Sequence, residues 1–299
     1  MWYEMSKVFG KWAEEHEADI EELKYTFRRM RQNPLSLLGL SIFVVFVFLA
    51  VFAPYVSPYD PIVQSLPERL QPPSVTHLFG TDELGRDLFS RVLWGARISL
   101  WMGIMVIAIS VSVGTVVGVL AGYLGGRFDE LFMRITDMFL AFPMLILAMA
   151  IAAALGNSLE NTMLAISITS WPRYARLMRA QTLSVKEQLY VEAARSVGAS
   201  KTRIVFKYIL PNCLAPIIIQ SSLRMGGTIL AASGLGFIGF GARPPTPEWG
   251  VMISQGRRYI MGQWWISVFP GLAIFIVVLG LNFLGDSLRD ILDPRLRRG

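Results

Sequence analysis

Leu35–Ala53 contains no charged residue, and that run restricts the chain more than any other feature. A helix needs about 20 mostly apolar residues to cross the bilayer hydrocarbon. Within lipid, only helices and closed barrels satisfy their own backbone groups. Further apolar runs follow at about Ile98–Tyr123, Met138–Leu155, Thr162–Met178, Leu214–Phe240 and Ile266–Leu284. The expected fold is all-α and polytopic, with six transmembrane helices. The fourth run is the least apolar, because Pro172, Arg173 and Arg176 interrupt it and Arg179 follows. Composition agrees: 53% of residues are hydrophobic and 17% charged, where a soluble domain carries about a quarter charged. The polar arm ahead of the first run is too long for a secretory signal, so that run is expected to be an uncleaved helix.

Lysines and arginines orient the spans. Twenty of the 28 fall in the N-terminal arm, the 124–137 and 173–213 loops and the C-terminal tail. Seven fall in the alternate loops, and Arg224 lies within a span. Basic residues collect on the cytoplasmic side, so both termini are expected there. The same bias accounts for the net charge of +6 without a nucleic-acid partner.

Several chemistries are disfavoured. No G-x-x-x-x-G-K-[ST] phosphate loop occurs, so ATP is not bound by that means. Gly234, Gly236 and Gly239 match G-x-G-x-x-G, but the dinucleotide site needs a soluble βαβ unit; small residues packing or turning closely is the plainer reading. A single cysteine, Cys213, excludes an internal disulfide and argues against a cysteine-based metal site. His16 and His77 lie far apart, and neither is expected to be a ligand or a general base. No acidic residue sits at mid-membrane, as an ion-coupled carrier would need. Arg224 is the one clear intramembrane charge, facing a transport pathway, bonded to a broken helix or snorkelling to the interface. No catalytic residue and no metal site are expected, and the energy source is expected to lie outside the chain.

Trp2, Met5, Phe9, Trp12, His16, Ile20, Leu23, Phe27 and Met30 recur at helical spacing. They predict an amphipathic helix over 1–32, lying on the membrane surface or along a partner.

The loop 184–212 is unusually ordered for a polar connection. Ser184 and Glu187 stand in capping-box spacing and predict a helix start. Gly198 stands where a left-handed helix stop belongs. Ser200 is placed to cap a second short helix over Lys201–Ile209, which Pro211 is expected to end. Two short helices with a glycine elbow would make a cytoplasmic knob.

The stretch EAARSVGASKTRIVFKYILP (192–211) resembles the EAA loop of ABC importer permeases, E-A-A, three residues, glycine, nine residues, I-x-L-P. Glu192, Ala193, Ala194, Gly198, Leu210 and Pro211 match. Tyr208 departs, standing where the pattern has isoleucine, with Ile209 one position later. NPLSLLGL, GTDELGRDLFSRVLWGARISL, AGYLGGRFDE, WPRYARLMRAQ, SGLGFIGFG and GDSLRDILDPRLR are similar to the second permease of the dipeptide, oligopeptide and nickel branch.

The resemblance implies an ABC type I importer permease fold and a multi-pass protein of the cytoplasmic (inner) membrane. The chain would move peptides or similar small solutes inward without catalysis of its own. Implied partners are a second homologous permease subunit, two ATPase subunits holding ATP and Mg, an extracytoplasmic substrate-binding protein and the lipid bilayer. Glu192 would be a polar anchor, Ala193 and Ala194 a close-contact face, Gly198 the elbow and Pro211 the stop. Nickel complexes, glutathione and sugars are further solutes of this branch. The rival class is an ATP-independent secondary transporter or channel.

The expected division is an amphipathic helix over 1–32, the first span and external loop over 33–94, a core over 95–286 containing the loop 184–212, and a tail over 287–299. Asp87 is expected to cap the second span. Arg173, Arg176 and Arg179 are expected to meet lipid headgroups, and Arg289 to pair with Asp286 and Asp293.

Overall fold

The structure, a computed structural model, describes residues 33–292. The expected arm over 1–32 and Asp293 lie outside them. Helices are the only regular elements among the described residues, apart from an isolated bridge between Thr81 and Asp87. The all-α expectation holds.

Helix α1 (Pro34–Val56) starts where Pro34 occupies the first turn and the Asn33 side chain accepts from the Leu35 N–H at 3.0 Å. It lies against the last helix, α10 (Trp265–Leu292). Gly39 and Gly280 let the two backbones approach: a Cβ at Gly39 would stand 2.8 Å from the Leu284 nitrogen, and one at Gly280 would strike Ile42. The buried Ser287 hydroxyl donates to Ser36 across the same seam at 2.6 Å.

Helix α2 (Leu88–Leu124) starts ten residues before the expected span, capped by Asp87, whose carboxylate accepts from Ser90 N at 2.7 Å. Its 37 residues reach about 55 Å, well beyond the hydrocarbon layer. Gly114, Gly118 and Gly122 line one face of it at four-residue intervals. They meet α5 (Leu159–Lys186) so closely that a Cβ at Gly118 would stand 2.5 Å from the Ala175 carbonyl oxygen.

The expected third span is broken. Helix α3 (Gly126–Ala141) and helix α4 (Met144–Leu155) meet at 95°. Pro143 explains the break, since the residue before a proline avoids the helical region and Phe142 is extended. Among the described residues, four single helices are long and apolar enough to cross a membrane, and the bent pair could make a fifth. Helix α5 is long enough, but its many polar residues keep it outside that set.

Outside the helices, residues 57–87 fold over the ends of α1 and α2 around buried charge. The Asp82 carboxylate accepts from Arg86 Nε at 2.6 Å and lies 3.5 Å from Arg91. Arg91 donates to the Pro61 and Pro245 carbonyls, and His77 Nδ1 lies 2.9 Å from Asp87. His77 is thus a buried structural partner. Helix α9 (Trp249–Gly256) completes this end, with Trp249 buried against α2 and its indole N–H donating to the Val92 carbonyl at 3.0 Å.

Candidate functional site

The loop 184–212 folds as a helical hairpin, though not by the capping box. Helix α5 continues through Ser184 to Lys186, and the hairpin's first helix is α6 (Leu189–Ser196), preceded by Gln188 with no side-chain cap. Ser184 and Glu187 have the right spacing, but α5 gains more by continuing one turn, because Val185 then reaches an apolar cluster.

The elbow is as expected. Gly198 has φ +80°. Its N–H donates to the Arg195 carbonyl at 3.0 Å, and the Ala199 N–H reaches back to Ala194 at 3.0 Å. Those bonds make a Schellman stop. Ser200 then caps α7 (Lys201–Ile204), accepting from Arg203 N at 3.3 Å.

Pro211 does not stop the second arm. A π-helical turn over Val205–Ile209 runs straight into α8 (Leu210–Ile238), with Pro211 in its first turn. The wider turn, in which Leu210 N donates to Val205 O, relieves the clash a proline ring makes with the carbonyl four residues back. Asn212 Nδ2 donates to the Tyr208 carbonyl at 2.7 Å, one turn back. The extra residue of that turn also settles the Tyr208 departure: Ile209 is fully buried, and Tyr208 is partly buried beside it.

Beneath the hairpin, Val191, Ile204, Ile209, Cys213 and Ile217 pack with Val119 of α2 and with Tyr174, Met178 and Val185 of α5. Each such side chain stabilises the arrangement by about 1.5–3 kcal/mol, so the hairpin is fixed to the ends of the long helices. The two alanines part company here. Ala194 is 6% exposed and turned inward, whereas Ala193 faces outward. Helical geometry places Leu189, Tyr190, Ala193 and Val197 on one outward stripe, with Leu189 81% and Val197 84% exposed. Leu189 and Val197 were legible in the four-residue spacing 189, 193, 197, which runs opposite the inward pair Val191 and Ala194. Glu192 is exposed in the first turn of α6, where the helix dipole favours a carboxylate. Leu210 packs at the cluster's edge.

The arginines of α5 do not act together at headgroups. Arg179 holds Asp129 of α3 through Nε at 2.5 Å and a second nitrogen at 2.6 Å, and Arg176 pairs with Asp137. Arg173 turns inward to a small cavity that Arg224 also lines. Arg289 makes no ion pair with Asp286 among the described residues.

The glycine motif packs around a carboxylate. Glu248 is fully buried and accepts from Gly250 N at 2.7 Å and Val251 N at 2.9 Å. A Cβ at Gly236 would strike its carboxylate, and Gly239, at φ +109°, ends α8. Close packing and turning is what these glycines provide, except at Gly234, which has open space. Among the described residues, no group of three or more His, Cys, Asp or Glu side chains could hold a metal.

The described residues thus form long apolar helices joined by a hairpin with an exposed apolar stripe. Residues 114–298 match the family described as "Binding-protein-dependent transport system inner membrane component", and residues 22–73 match "N-terminal TM domain of oligopeptide transport permease C". The chain is 48% identical over 266 residues to the "Probable D,D-dipeptide transport system permease protein DdpC" of Escherichia coli (strain K12), covering 89% of each. It is 46% identical over 281 residues to the "Di/tripeptide transport system permease protein DppC" of Pseudomonas aeruginosa (strain UCBPP-PA14), covering 92% of this chain and 93% of that one. Among solved structures it resembles the MetNI methionine ABC transporter in an inward-facing conformation, with TM-score 0.54, 20% identity and coverage of 67% of this chain and 96% of that one. That likeness concerns the fold. The chain belongs to the family of inner-membrane permease components of binding-protein-dependent ABC importers.

Proposed function

We propose that this permease moves short peptides inward and that α6 couples it to an ATPase subunit. The exposed stripe of Leu189, Tyr190, Ala193 and Val197 on a hairpin rooted in α2, α5 and α8 carries the proposal. Leu189 and Val197 are too exposed to be packing residues of this chain, and a groove on a partner would bury them. Ala193 allows close approach, Glu192 anchors the rim, and Gly198 fixes the angle of the arm. Ala194 and Leu210 act from within, holding the stripe outward, and Pro211 sets the register of the turn into α8. ATP and Mg belong to two ATPase subunits. A second permease completes the pathway, and a binding protein delivers solute on the opposite side. Peptide as solute is supported by the di- and tripeptide names of the relatives. ATP-driven closure of the ATPases would move both hairpins together and rock the helices between inward- and outward-open forms.

Gly198→Val tests the coupling. Space is open around Gly198, so the expected defect comes from backbone geometry alone, since a β-branched residue disfavours positive φ. ATP-driven peptide uptake by the reconstituted complex should be lost while the chain remains in the membrane. Unchanged uptake would refute the role given to α6. Robust uptake without ATPase subunits would favour an ATP-independent carrier.

A further inference from the structure

A second group of polar side chains gathers within the helical layer. Ser110 of α2, Met144 of α4, Arg173 and Tyr174 of α5, and Gln220 and Arg224 of α8 line a cavity of about 90 Å³. Two guanidinium groups contribute to its wall, and no carboxylate does. Among the described residues neither arginine belongs to an ion pair, and the acids of α3 facing α5 are taken by Arg176 and Arg179. Arg173 donates only to the Met144 sulfur, at 3.6 Å, and a thioether is a weak acceptor. The buried Tyr174 hydroxyl makes no hydrogen bond. Arg224 lines the cavity and is exposed.

Two like charges bordering one small space repel each other, and Arg173, half-buried, has given up part of its hydration. An anion in the space reverses the sign of that interaction. The cavity is small, about 90 Å³, and suits one small anionic group such as a carboxylate. Guanidinium forks match carboxylate geometry in pairs of parallel bonds, and Gln220 adds a neutral donor. We propose that Arg173 and Arg224 form a carboxylate-binding pair that receives the C-terminal carboxylate of the solute during its passage. The proposal rests on the peptide-import reading and names the chemical group by which the permease itself holds its cargo.

The test uses the whole complex of both permeases, ATPases and binding protein in liposomes, with radiolabelled alanyl-alanine as probe. Arg173→Gln and Arg224→Gln should each lower uptake by about tenfold or more, the loss of a charge-assisted contact. Binding-protein-stimulated ATP hydrolysis should stay within about twofold, which a misfolded or unassembled permease would not allow. Arg224→Lys, which keeps the charge, should recover part of the uptake. Glutamine variants that transport alanyl-alanine within about twofold of wild type would overturn the carboxylate pair and leave peptide import standing. A wild-type complex that hydrolyses ATP but imports no alanyl-alanine would overturn both.

Discussion

Glu248 shows how one residue can make a membrane protein sensitive to pH. Burial raises its carboxyl from the ordinary 4.5 to about 7, although the Gly250 and Val251 N–H groups partly oppose the shift. The folded state therefore holds its proton more tightly than the unfolded chain does. Stability from this group is fully present below about pH 4.5 and falls as pH rises towards 7, by at most about 1.4 kcal/mol per pH unit. Glu248→Gln keeps one of the two acceptor oxygens and removes the titration. The melting temperature of the purified protein should decline between about pH 5 and pH 7 for wild type and stay flatter for the variant. Equal slopes would show that Glu248 does not carry the effect. No sequence pattern marks this residue, because its burial is produced by Gly236 and Gly241, which come close only when α8 and α9 cross.

At the scale of elements, the hairpin was largely legible. Its glycine stop and its Ser200 cap are local, and local chemistry decides them. The capping box at Ser184 misled because the competing continuation of α5 is stabilised by Val185 meeting Val191 and Ile209, residues brought together by the fold. The broken third span has a local cause in Pro143 that hydropathy averages away. The arginines of α5 required knowledge of where Asp129 and Asp137 lie on α3. If α6 is the docking element, charge on its outer stripe should matter and its root should not need repair. Leu189→Asp and Val197→Asp should leave the amount of membrane-inserted permease unchanged and abolish co-purification of the ATPase subunits. Val191→Asp, by contrast, places a charge in the cluster beneath α6 and should lower the amount of folded protein, since burying an unpaired charge is strongly destabilising. Retained ATPase binding by both stripe variants would mean that another surface makes the contact.

At the scale of the whole molecule, the orientation rests on the bias of lysine and arginine, and the fold supplies the means to check it. Residues 57–87 and the hairpin lie at opposite ends of α2, which runs from Asp87 at one cap to Gly125 at the other. Its length exceeds the hydrocarbon layer, so the two ends must face different compartments if it spans. Val75 is 98% exposed in the first region, and Val197 is 84% exposed in the second. The native cysteine, Cys213, is buried, so an introduced cysteine is read against a low background. A membrane-impermeant maleimide applied to intact spheroplasts should modify Val75→Cys and spare Val197→Cys, and inverted vesicles should give the reverse. Labelling of Val197→Cys from outside would place the hairpin, and with it the ATPase contact, on the wrong side of the membrane for a cytoplasmic source of ATP.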